Sequence, residues 1–522
     1  MTLLTRIDAL LGRVTMYRLI TIALAVTIAV YTLFTATGVI TGLSTTGNLV
    51  SLAVVVVASV ASNRLIALAL RVAPHDESAV ITALLLYMIF VPLPTTPDGI
   101  TWANQAWFAG AGALAMLSKY VIAWRGRHLL NPAAAGSVLV VLAQWALGRE
   151  QTINPLWQTA ATQSLLPFVA LGALAIVWRT RKVGIGVVFA VLATVLVVVS
   201  LVAGTGSGVG DALRVALYSF PIVFIAGYML TEPLTLPPRR WQQMTVAVVV
   251  AVLVALPTLA VLLEVTLPTV GPVAMSPELA LLIGNVVAFA LAPRTGIRLE
   301  VRGSRPLGGD VHEVTFVPRR PVRFEAGQYL ELHVPHRSDR RGPRRVFSIS
   351  SPPHADELTV ALRVPERSSS LKQRLLATAE GARVAATGVH GDFVWPRPGA
   401  RPLLVAGGIG VTPFLSQLRS HDVGDAILVY GVPDGDDVPY RDELVDTGVD
   451  VVLVSPDRPA DLPEGWRHVS APLLSADVVT SAVPDAADRV AMVSGPPAMV
   501  DAVRRHLRPH VRSVRTDHFT GY

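Results

Sequence analysis

The sequence predicts a multi-span α-helical membrane domain of about ten helices, followed by a soluble module that combines an antiparallel β-barrel or sandwich with an α/β domain. The hydrophobic residues, 52% of the chain, are concentrated in long Ala, Val, Leu and Ile blocks within residues 17–293. Residues 294–522 have the charge density of a soluble domain. Near residue 400 the pattern changes from short strands separated by turns to alternating strands and helices. The predicted domains are therefore 1–293, 294–398 and 399–522.

Ten apolar segments are candidate membrane spans, because a bilayer core of roughly 30 Å needs about 20 helical residues. The fifth, sixth and tenth segments are short for a crossing. No small-residue cleavage site follows the first segment, so we do not expect a cleaved signal peptide. The candidate segments are residues 17–40, 48–70, 78–95, 103–124, 132–148, 164–179, 183–204, 212–231, 243–266 and 277–293.

Positive charges between these segments predict their orientation. With a cytoplasmic N-terminus, eleven Lys and Arg residues lie inside and only Arg149 and Arg214 lie outside. This asymmetry is typical of membrane proteins. An even number of spans then gives a multi-pass cell-membrane protein with both termini in the cytoplasm. The inside residues are Arg6, Arg13, Arg18, Arg71, Arg125, Arg127, Arg179, Arg181, Lys182, Arg239 and Arg240.

Charge and cysteine content exclude several classes of function. Of the net charge of +7, +6 belongs to residues 1–293, so the basic balance reflects topology and we expect no nucleic-acid partner. The chain has no cysteine, which excludes disulfides, thiol chemistry and Cys-ligated clusters or zinc. The apolar half contains only His75 and His128, which argues against bis-His haem, and we expect no metal site.

Short strands and a strand–turn–helix pattern carry the motifs of the C-terminal half. Residues 297–396 predict a small barrel or sandwich, with strands at 311–316, 330–334, 347–349 and 358–364. Arg345-Val346-Phe347-Ser348 leads into the third of these strands. Gly407-Gly408-Ile409-Gly410-Val411-Thr412-Pro413 follows an apolar strand at 402–406 and opens a helix, where glycine backbone and helix dipole suit a pyrophosphate. Ser494-Gly495-Pro496-Pro497-Ala498-Met499 follows a last buried strand at 490–493.

In this order, the three motifs resemble the flavin- and nicotinamide-binding module of the ferredoxin reductase family. The resemblance implies an FAD-binding barrel with Arg345 on the FAD pyrophosphate, Phe347 on the flavin and Ser348 near flavin N5. It places Ser369 and Ser370 at a second pyrophosphate contact. It assigns Gly407, Gly408, Gly410, Thr412 and Pro413 to NAD(P)H. Ser494, in place of the family's usual Cys, lies beside the nicotinamide with Gly495 and Pro496, and Phe519 or Tyr522 covers the flavin.

The loop at Asp434, Asp436 and Asp437 bears on the choice of nucleotide. Carboxylates would repel a 2′-phosphate and accept a hydrogen bond from a ribose hydroxyl, which favours NADH. Arg441 lies close by, so NADPH stays open.

A second resemblance covers most of residues 70–293. Lys119, Asn131-Pro132-Ala133-Ala134-Ala135-Gly136 and Thr231-Glu232-Pro233-Leu234-Thr235 resemble segments of one family of membrane proteins, found in Rnf-type complexes and in the sodium-pumping NADH:quinone reductase (the Rnf/Nqr membrane family). In that family a threonine carries covalent FMN, and Thr162 in Thr159-Ala160-Ala161-Thr162 is the matching position, although the preceding Asp and Gly are missing. Arg64 and Lys119, ionisable residues inside predicted spans, are functional candidates.

These observations predict a membrane-bound, FAD-dependent NAD(P)H oxidoreductase. Electrons would pass from cytoplasmic NAD(P)H through FAD to a quinone, a membrane-bound flavin or another acceptor in the lipid bilayer. A redox-driven ion transporter, a ferric-reductase-like enzyme and a passive membrane anchor are the alternatives. The sequence identifies neither the terminal acceptor nor the oligomeric state.

Overall fold

A computed structural model describes residues 14–72, 74–91, 93, 100–124, 127–149, 151–292, 296–334, 344–366 and 368–517. The chain divides into two compact units, residues 1–294 and 295–522, called the helix unit and the C-terminal unit below. Each unit has its own hydrophobic cores.

The helix unit consists of apolar helices at each of the ten predicted segments. A short hairpin, β1 (Ala123–Trp124) and β2 (Arg127–His128), precedes α5. Pro257 lies within α11, and a π-helical turn at Ile225–Met229 extends α10. The helices are α1 (Met16–Ala36), α2 (Thr45–Ala69), α3 (Asp76–Phe90), α4 (Trp102–Val121), α5 (Pro132–Ala146), α6 (Gln158–Ala161), α7 (Leu166–Arg179), α8 (Val183–Thr205), α9 (Val209–Tyr218), α10 (Ile222–Phe224), α11 (Arg240–Leu262) and α12 (Pro277–Leu291).

Fewer helices than the expected ten are long enough to cross a membrane. Among the described residues, four helices, α1, α2, α8 and α11, are long and apolar enough to cross a membrane. The count becomes five if α9 and α10, which are bent by 51°, form one broken span. The fifth, sixth and tenth segments form α5, α7 and α12, whose 14 or 15 residues extend about 21–23 Å and fall short of a ~30 Å core.

Helix packing repeats between the two halves of this unit. In the first half α2 packs on α3 and α4, α4 on α5, and α1 on α3. In the second half α8 packs on α9 and α11, α11 on α12, and α7 on α10, which is the same pairing. The halves meet through α1 with α7 and α5 with α12. The unit is therefore built from two similar sets of helices, although the sequence shows no obvious repeat.

An antiparallel barrel begins the C-terminal unit. Its strands are ordered β6-β5-β8-β3-β4-β7, and a bridge between Ile349 and Val360 closes the ring. Alternate side chains, such as Leu299, Phe316 and Leu330, fill the interior. The elements are β3 (Ile297–Gly308), β4 (Val311–Pro318), β5 (Tyr329–His333), β6 (Arg344–Ser348), β7 (Leu358–Arg363), α13 (Ser370–Leu376) and β8 (Arg383–His390). The prediction of a barrel is confirmed; β3 and β8 had not been predicted.

A six-stranded parallel sheet follows, as the strand–helix alternation predicts. Its order is β12-β11-β10-β9-β13-β14, so the winding direction reverses between β9 and β13. Ligands of open α/β sheets bind at the carboxyl ends of the strands beside such a reversal. The elements are β9 (Arg401–Gly407), α14 (Thr412–Leu418), β10 (Ile427–Gly431), α15 (Arg441–Asp446), β11 (Asp450–Ser455), β12 (Arg467–Ser470), α16 (Ala476–Ala482), β13 (Arg489–Ser494), α17 (Pro497–Leu507) and β14 (Ser513–Asp517).

Candidate active site

Two glycine-containing turns meet where the sheet reverses. Ser494 pairs with Ala406 in the β13–β9 ladder, so the turns that follow these strands emerge side by side. A Cβ on Gly410 would lie 2.4 Å from the Ser494 carbonyl oxygen and 2.5 Å from Gly495 Cα. Only glycine allows this approach of two backbones. The turns form a shared surface of main chain, which suits a nucleotide phosphate.

The helix after the first turn is held rigidly below this surface. Every residue of α14 is buried, and Pro413 occupies its first turn. The Thr412 hydroxyl donates to the Ile409 carbonyl at 2.6 Å, which fixes the turn that precedes the helix. Gly407 lies against Met499 and Pro496, which link the first turn to the second. The predicted NAD(P)H residues are thus brought together by direct contact.

The barrel presents Arg345, Phe347 and Ser348 on one edge strand. In the β5–β6 ladder Phe347 pairs with Leu330 and Ser348 with Tyr329. Phe347 and Ser348 are both only 7% exposed, whereas Arg345 is half-buried. Because strand side chains alternate, Arg345 and Phe347 point to one face of β6 and Ser348 to the other.

The segment before α13 supplies polar groups near Arg345. Ser369 caps the helix by accepting from the Lys372 backbone N–H at 3.5 Å, while Ser370 is its first residue. Within the described part of the chain the Ser368 hydroxyl oxygen is buried without a hydrogen-bond partner. Burial lowers the pKa of the Lys372 ammonium; Asp310 opposes this and Arg345 adds to it. An unpaired hydroxyl among cations fits a pyrophosphate, so these residues suit FAD. Ser368 and Lys372 had not been predicted.

A buried carboxylate at the end of β14 also escaped sequence prediction. Asp517 pairs with Ser494 in the β13–β14 ladder, and within the described chain its Oδ2 is buried without a partner. Burial, together with the nearby Asp392, raises the pKa of the Asp517 carboxyl to about 7. Carboxylates with raised pKa values concentrate at functional sites. The feature of the sequence that could have identified Asp517 is its position on the last strand, which pairs with the strand that ends at Ser494.

Strand neighbours connect the two predicted catalytic serines across the crevice. Ser348 pairs with Tyr329, which pairs with His390. Two residues after His390, Asp392 lies near Asp517, which in turn pairs with Ser494. Ser348 and Ser494 are 7% and 4% exposed, so both serines are buried. A chain of paired or neighbouring residues therefore connects the flavin-side serine to the nicotinamide-side serine.

An ionic and hydroxyl cluster, here called the clasp, joins the barrel to the α/β domain. Glu313 on β4 accepts from the Tyr440 hydroxyl at 2.6 Å, from Arg305 Nε at 2.8 Å and from the Ser350 hydroxyl at 3.3 Å. Arg305 also forms an ion pair with Glu443 on α15. Burial raises the pKa of the Tyr440 hydroxyl well above its usual value, and Glu313 adds to this rise. The clasp fixes the relative position of the flavin-side and nicotinamide-side domains.

The acidic loop after β10 divides into two exposed residues and one that is half-buried. Asp434 accepts from the Asp436 backbone N–H at 3.0 Å, and Asp436 accepts from the Ala460 backbone N–H at 2.7 Å. Asp437 lies against the Gly308–Gly309 turn of the barrel, where a Cβ on Gly308 would lie 1.9 Å from its carboxylate. Arg441 donates to the Asp461 carbonyl and forms an ion pair with its carboxylate. Asp434 and Asp436 are the acidic members of the loop that are exposed to solvent.

Known proteins match this half of the chain. Residues 404–505 match the family model of the oxidoreductase NAD-binding domain. An aromatic O-demethylase reductase subunit from Amycolatopsis is 31% identical over 45% of this chain and 71% of its own length. The chain belongs to the ferredoxin reductase family. The match confirms the first resemblance and makes the protein a flavin- and NAD(P)H-dependent oxidoreductase.

Two further relatives of this reductase are similar over the same half. The ferredoxin reductase component of a 3-ketosteroid-9-alpha-monooxygenase from Mycobacterium tuberculosis is 30% identical over 38% of this chain, which spans 54% of that relative. A solved Amycolatopsis cytochrome P450 reductase has 25% identity and a TM-score of 0.38, over 44% of this chain and 70% of that chain.

The remaining predicted sites lie either beyond the described residues or in the helix unit. Phe519 and Tyr522 fall outside the described residues. Thr162 follows α6 in the helix unit, is half-buried, and donates its hydroxyl to the Gln158 carbonyl. Trp157, before α6, adopts a left-handed backbone (φ 57°) and donates to Glu278 at 2.8 Å. Thr162 therefore ends a short segment that begins at Trp157, which is hydrogen-bonded to α12.

The two quoted helix-unit motifs meet at a carboxylate in this reductase. Glu232 accepts from Asn131 Nδ2 at 3.1 Å, and its other oxygen lies 3.0 Å from His128 Nε2. Arg64 is paired with Asp76 at 2.8 Å, which makes it a strut between helices. Lys119 donates to the Ser78 hydroxyl at 3.2 Å. No group of three or more His, Asp or Glu side chains suited to a metal occurs within the described ranges.

Proposed function

We propose that this reductase is a membrane-bound enzyme that passes electrons from cytoplasmic NAD(P)H through FAD to an acceptor held in or at the membrane. The observation that carries the proposal is the presence of a ferredoxin reductase module and an apolar helix unit in one chain. Apolar side chains on α2 are exposed, including Val57 at 67% and Leu68 at 76%, as lipid-facing residues would be. Both termini would lie in the cytoplasm.

The cleft residues have distinct roles in this proposal. Arg345, Ser368, Ser369 and Ser370 would hold the FAD pyrophosphate, with Phe347 against the flavin. When bound, FAD supplies acceptance of a hydride and release of its two electrons. The main-chain surface at Gly410 and Gly495 would hold the NAD(P)H phosphates close to Ser494. Ser348 and Ser494 would orient the reacting rings by hydrogen bonds.

NADH is the proposed donor over NADPH. Asp434 and Asp436 are exposed at the carboxyl end of β10, and a 2′-phosphate dianion would be repelled there. The Arg441 guanidinium, which would favour NADPH, is neutralised by Asp461. Measured kcat/KM values for NADH and NADPH test this assignment, and a higher value for NADPH would contradict it.

The acceptor is proposed to be a quinone or a second flavin. The meeting of Asn131 with Glu232 supports the resemblance to the Rnf/Nqr membrane family, because it joins the two motifs that carry the resemblance. The two relatives are named as the reductase subunit of an O-demethylase and the ferredoxin reductase component of a monooxygenase, so a protein acceptor is the second candidate. Any iron–sulfur cluster ligated by Cys would have to reside on that partner, since this chain has no cysteine.

A test of the acceptor compares two electron sinks in the detergent-purified full chain. NADH oxidation with ferricyanide reports the reductase module alone, whereas reduction of ubiquinone-1 requires the proposed function. We expect both activities, and we expect Ser494→Ala to reduce both by the same factor. Ferricyanide activity without quinone activity would contradict the quinone acceptor and favour a protein or flavin acceptor.

A covalent FMN on Thr162 is proposed as the second flavin. Acid precipitation releases non-covalent FAD, so flavin that stays on the pellet identifies the covalent centre. Thr162→Ala should remove this pellet flavin and leave the released FAD unchanged. Thr205→Ala is the matched control, because Thr205 likewise bonds to the carbonyl four residues earlier. A pellet without flavin in the unaltered protein would refute the assignment.

The multi-pass arrangement can be mapped with single cysteines, because the chain has none of its own. Gln151 and Arg239 are exposed and lie in segments predicted on opposite sides. In intact cells Gln151→Cys should react with an impermeant maleimide, whereas Arg239→Cys should react only after permeabilisation. Labelling of both variants in intact cells would overturn the proposed orientation.

A further inference from the structure

One face of α2 is polar although the helix is otherwise apolar. Its buried residues include Asn48, Ser51, Ser59 and Asn63, which are between 0% and 4% exposed. Leu65 lies on the opposite face and is 66% exposed. Polar side chains inside a membrane are costly, and those that occur usually serve transport or catalysis. We call this row of buried polar residues, with their partners on neighbouring helices, the seam.

The seam is hydrogen-bonded at both ends of α2. At the first end Asn48 donates to the Tyr31 hydroxyl at 3.3 Å, and Gln105 on α4 donates to Ser51 at 2.8 Å. At the other end Tyr120 donates to Asn63 at 2.8 Å, and Asn63 donates to Asp76 at 3.2 Å. Asp76 lies at the start of α3, and its side chain is 39% exposed. Hydrogen-bonded polar side chains thus extend from each end of α2 towards its middle.

The middle of the seam is interrupted. Ser51 and Ser59 are separated by eight residues, or about 12 Å along the helix axis, which no direct hydrogen bond can span. Val55 lies between them on the same face and is fully buried. In the described part of the chain, the Ser59 hydroxyl and Gln105 Oε1 are buried without partners. Polar groups that only hold helices together are normally paired, so these unpaired atoms indicate that something else completes the seam.

We propose that the seam is a gated proton path through the helix unit, closed at Val55. The proposal rests on the helices crossing a membrane, as proposed above. Hydroxyl and carboxamide groups both donate and accept hydrogen bonds, so they can hold a chain of water molecules along which a proton passes from one water to the next. Between Asn48 and Asn63 the α2 face carries no charged residue, which disfavours a bound metal cation. Closure at Val55 prevents leakage in the resting protein.

Val55→Thr tests the gate without changing the packed volume. Threonine has nearly the shape of valine, and its hydroxyl would stand one helical turn from Ser51 and from Ser59. The full-length protein is reconstituted in liposomes with the pH dye pyranine inside, and a potassium gradient with valinomycin sets a potential. We expect Val55→Thr to raise proton flux at least tenfold above unaltered protein, which should remain near protein-free liposomes. Val55→Ala, which makes room for water, should leak as well.

Val197 provides the matched control. It is a fully buried valine on α8 that packs among apolar residues such as Ala216 and Ala255. Val197→Thr should not leak, and adding Ser59→Val to Val55→Thr should return the flux to background. Absence of leakage in both Val55 variants would overturn the proposal, as would equal leakage from Val197→Thr or a sodium flux without a proton flux.

NADH:ferricyanide activity separates this proposal from the reductase function. The activity depends on the C-terminal unit, so a leaking variant that keeps it still has a working reductase, and Val197→Thr controls for a general disturbance of the helix unit. Loss of quinone reduction in the unaltered protein would affect the proposed acceptor but not the predicted leak.

Discussion

Gly410 shows how the lack of a Cβ atom allows two turns to approach each other at the candidate nucleotide site. Gly410→Ala would place a Cβ within 2.4 Å of the Ser494 carbonyl oxygen, and both groups belong to rigid backbone. We expect the KM for NADH to rise at least tenfold or the activity to vanish, measured with ferricyanide. Gly424→Ala is the control: its φ is +51° but nothing lies within 4 Å. The control carries only backbone strain, about 1–2 kcal/mol, and should keep its KM.

Asp517 makes the rate depend on pH. Hydride donation leaves a positive charge on the nicotinamide, which an ionised carboxylate beside Ser494 would stabilise. Because burial raises the pKa of Asp517 to about 7, kcat should increase as pH rises through about 7. Asp517→Asn should lower kcat and remove this step from the pH profile. A variant with the same profile as the unaltered enzyme would show that another group titrates.

The same carboxyl predicts the pH dependence of stability. Its pKa is raised in the folded state, so its stabilising contribution is complete below its ordinary value near 3.8 and is lost as pH rises through about 7. Above pH 7, Asp517→Asn should therefore release flavin at a higher temperature than the unaltered protein. At pH 5 the difference should be clearly smaller than above pH 7, because only part of the contribution is lost there. Flavin fluorescence during heating measures both, and an equal shift at both pH values would contradict the explanation.

Local patterns predicted one part of the site, and distant pairing determined the rest. The motifs Gly407–Pro413 and Ser494–Met499 can be recognised in the sequence, because adjacent residues determine where a turn forms and where a helix begins. Asp517 and Lys372 look ordinary in sequence, because their importance comes from partners that the sheet and barrel bring near. Asp437 was predicted to face the ribose, yet it packs against Gly308 of the barrel.

At the scale of elements, the clasp joins β3 and β4 to α15 and the segment before it. Tyr440→Phe would remove a donor from the buried Glu313 carboxylate, at a cost of about 1–3 kcal/mol. We expect a lower unfolding temperature and a slower hydride transfer, since the clasp positions the two domains. Stopped-flow flavin reduction at 450 nm measures the rate.

Thr480→Val is a suitable control for the clasp. Thr480 is half-buried, and its hydroxyl donates locally to the Asp477 carbonyl at 3.1 Å. It should affect neither quantity. If Tyr440→Phe lowered stability but left the hydride-transfer rate unchanged, the clasp would be a structural support without a positioning role.

The helices illustrate what periodicity predicts and what it omits. All ten apolar segments are helical, because continuous apolar runs of this length favour buried or lipid-exposed helices. The break between α9 and α10 was not predicted, although Pro221 stands at the bend. The repeated packing of the two halves also lies beyond local pattern, since it depends on which helices touch.

At the scale of the whole molecule, one chain carries both the reductase module and the helix unit. If the helix unit holds the acceptor site, the rate per molecule should be independent of protein concentration. Diluting proteoliposomes a hundredfold should leave the NADH:quinone rate per enzyme unchanged. A rate per enzyme that falls on dilution would indicate a separate, dissociating electron carrier.

The fusion also sets a fixed stoichiometry. The relatives are named as reductase subunits or components, which implies separate partner proteins. The ratio of a reductase to a separate partner varies with the expression of each gene. Here every helix unit is synthesised with its own source of electrons, and neither can be in excess. Regulation would then have to act on the chemistry of a single molecule, through nucleotide supply or the redox state of the acceptor pool, and not on the abundance of one partner.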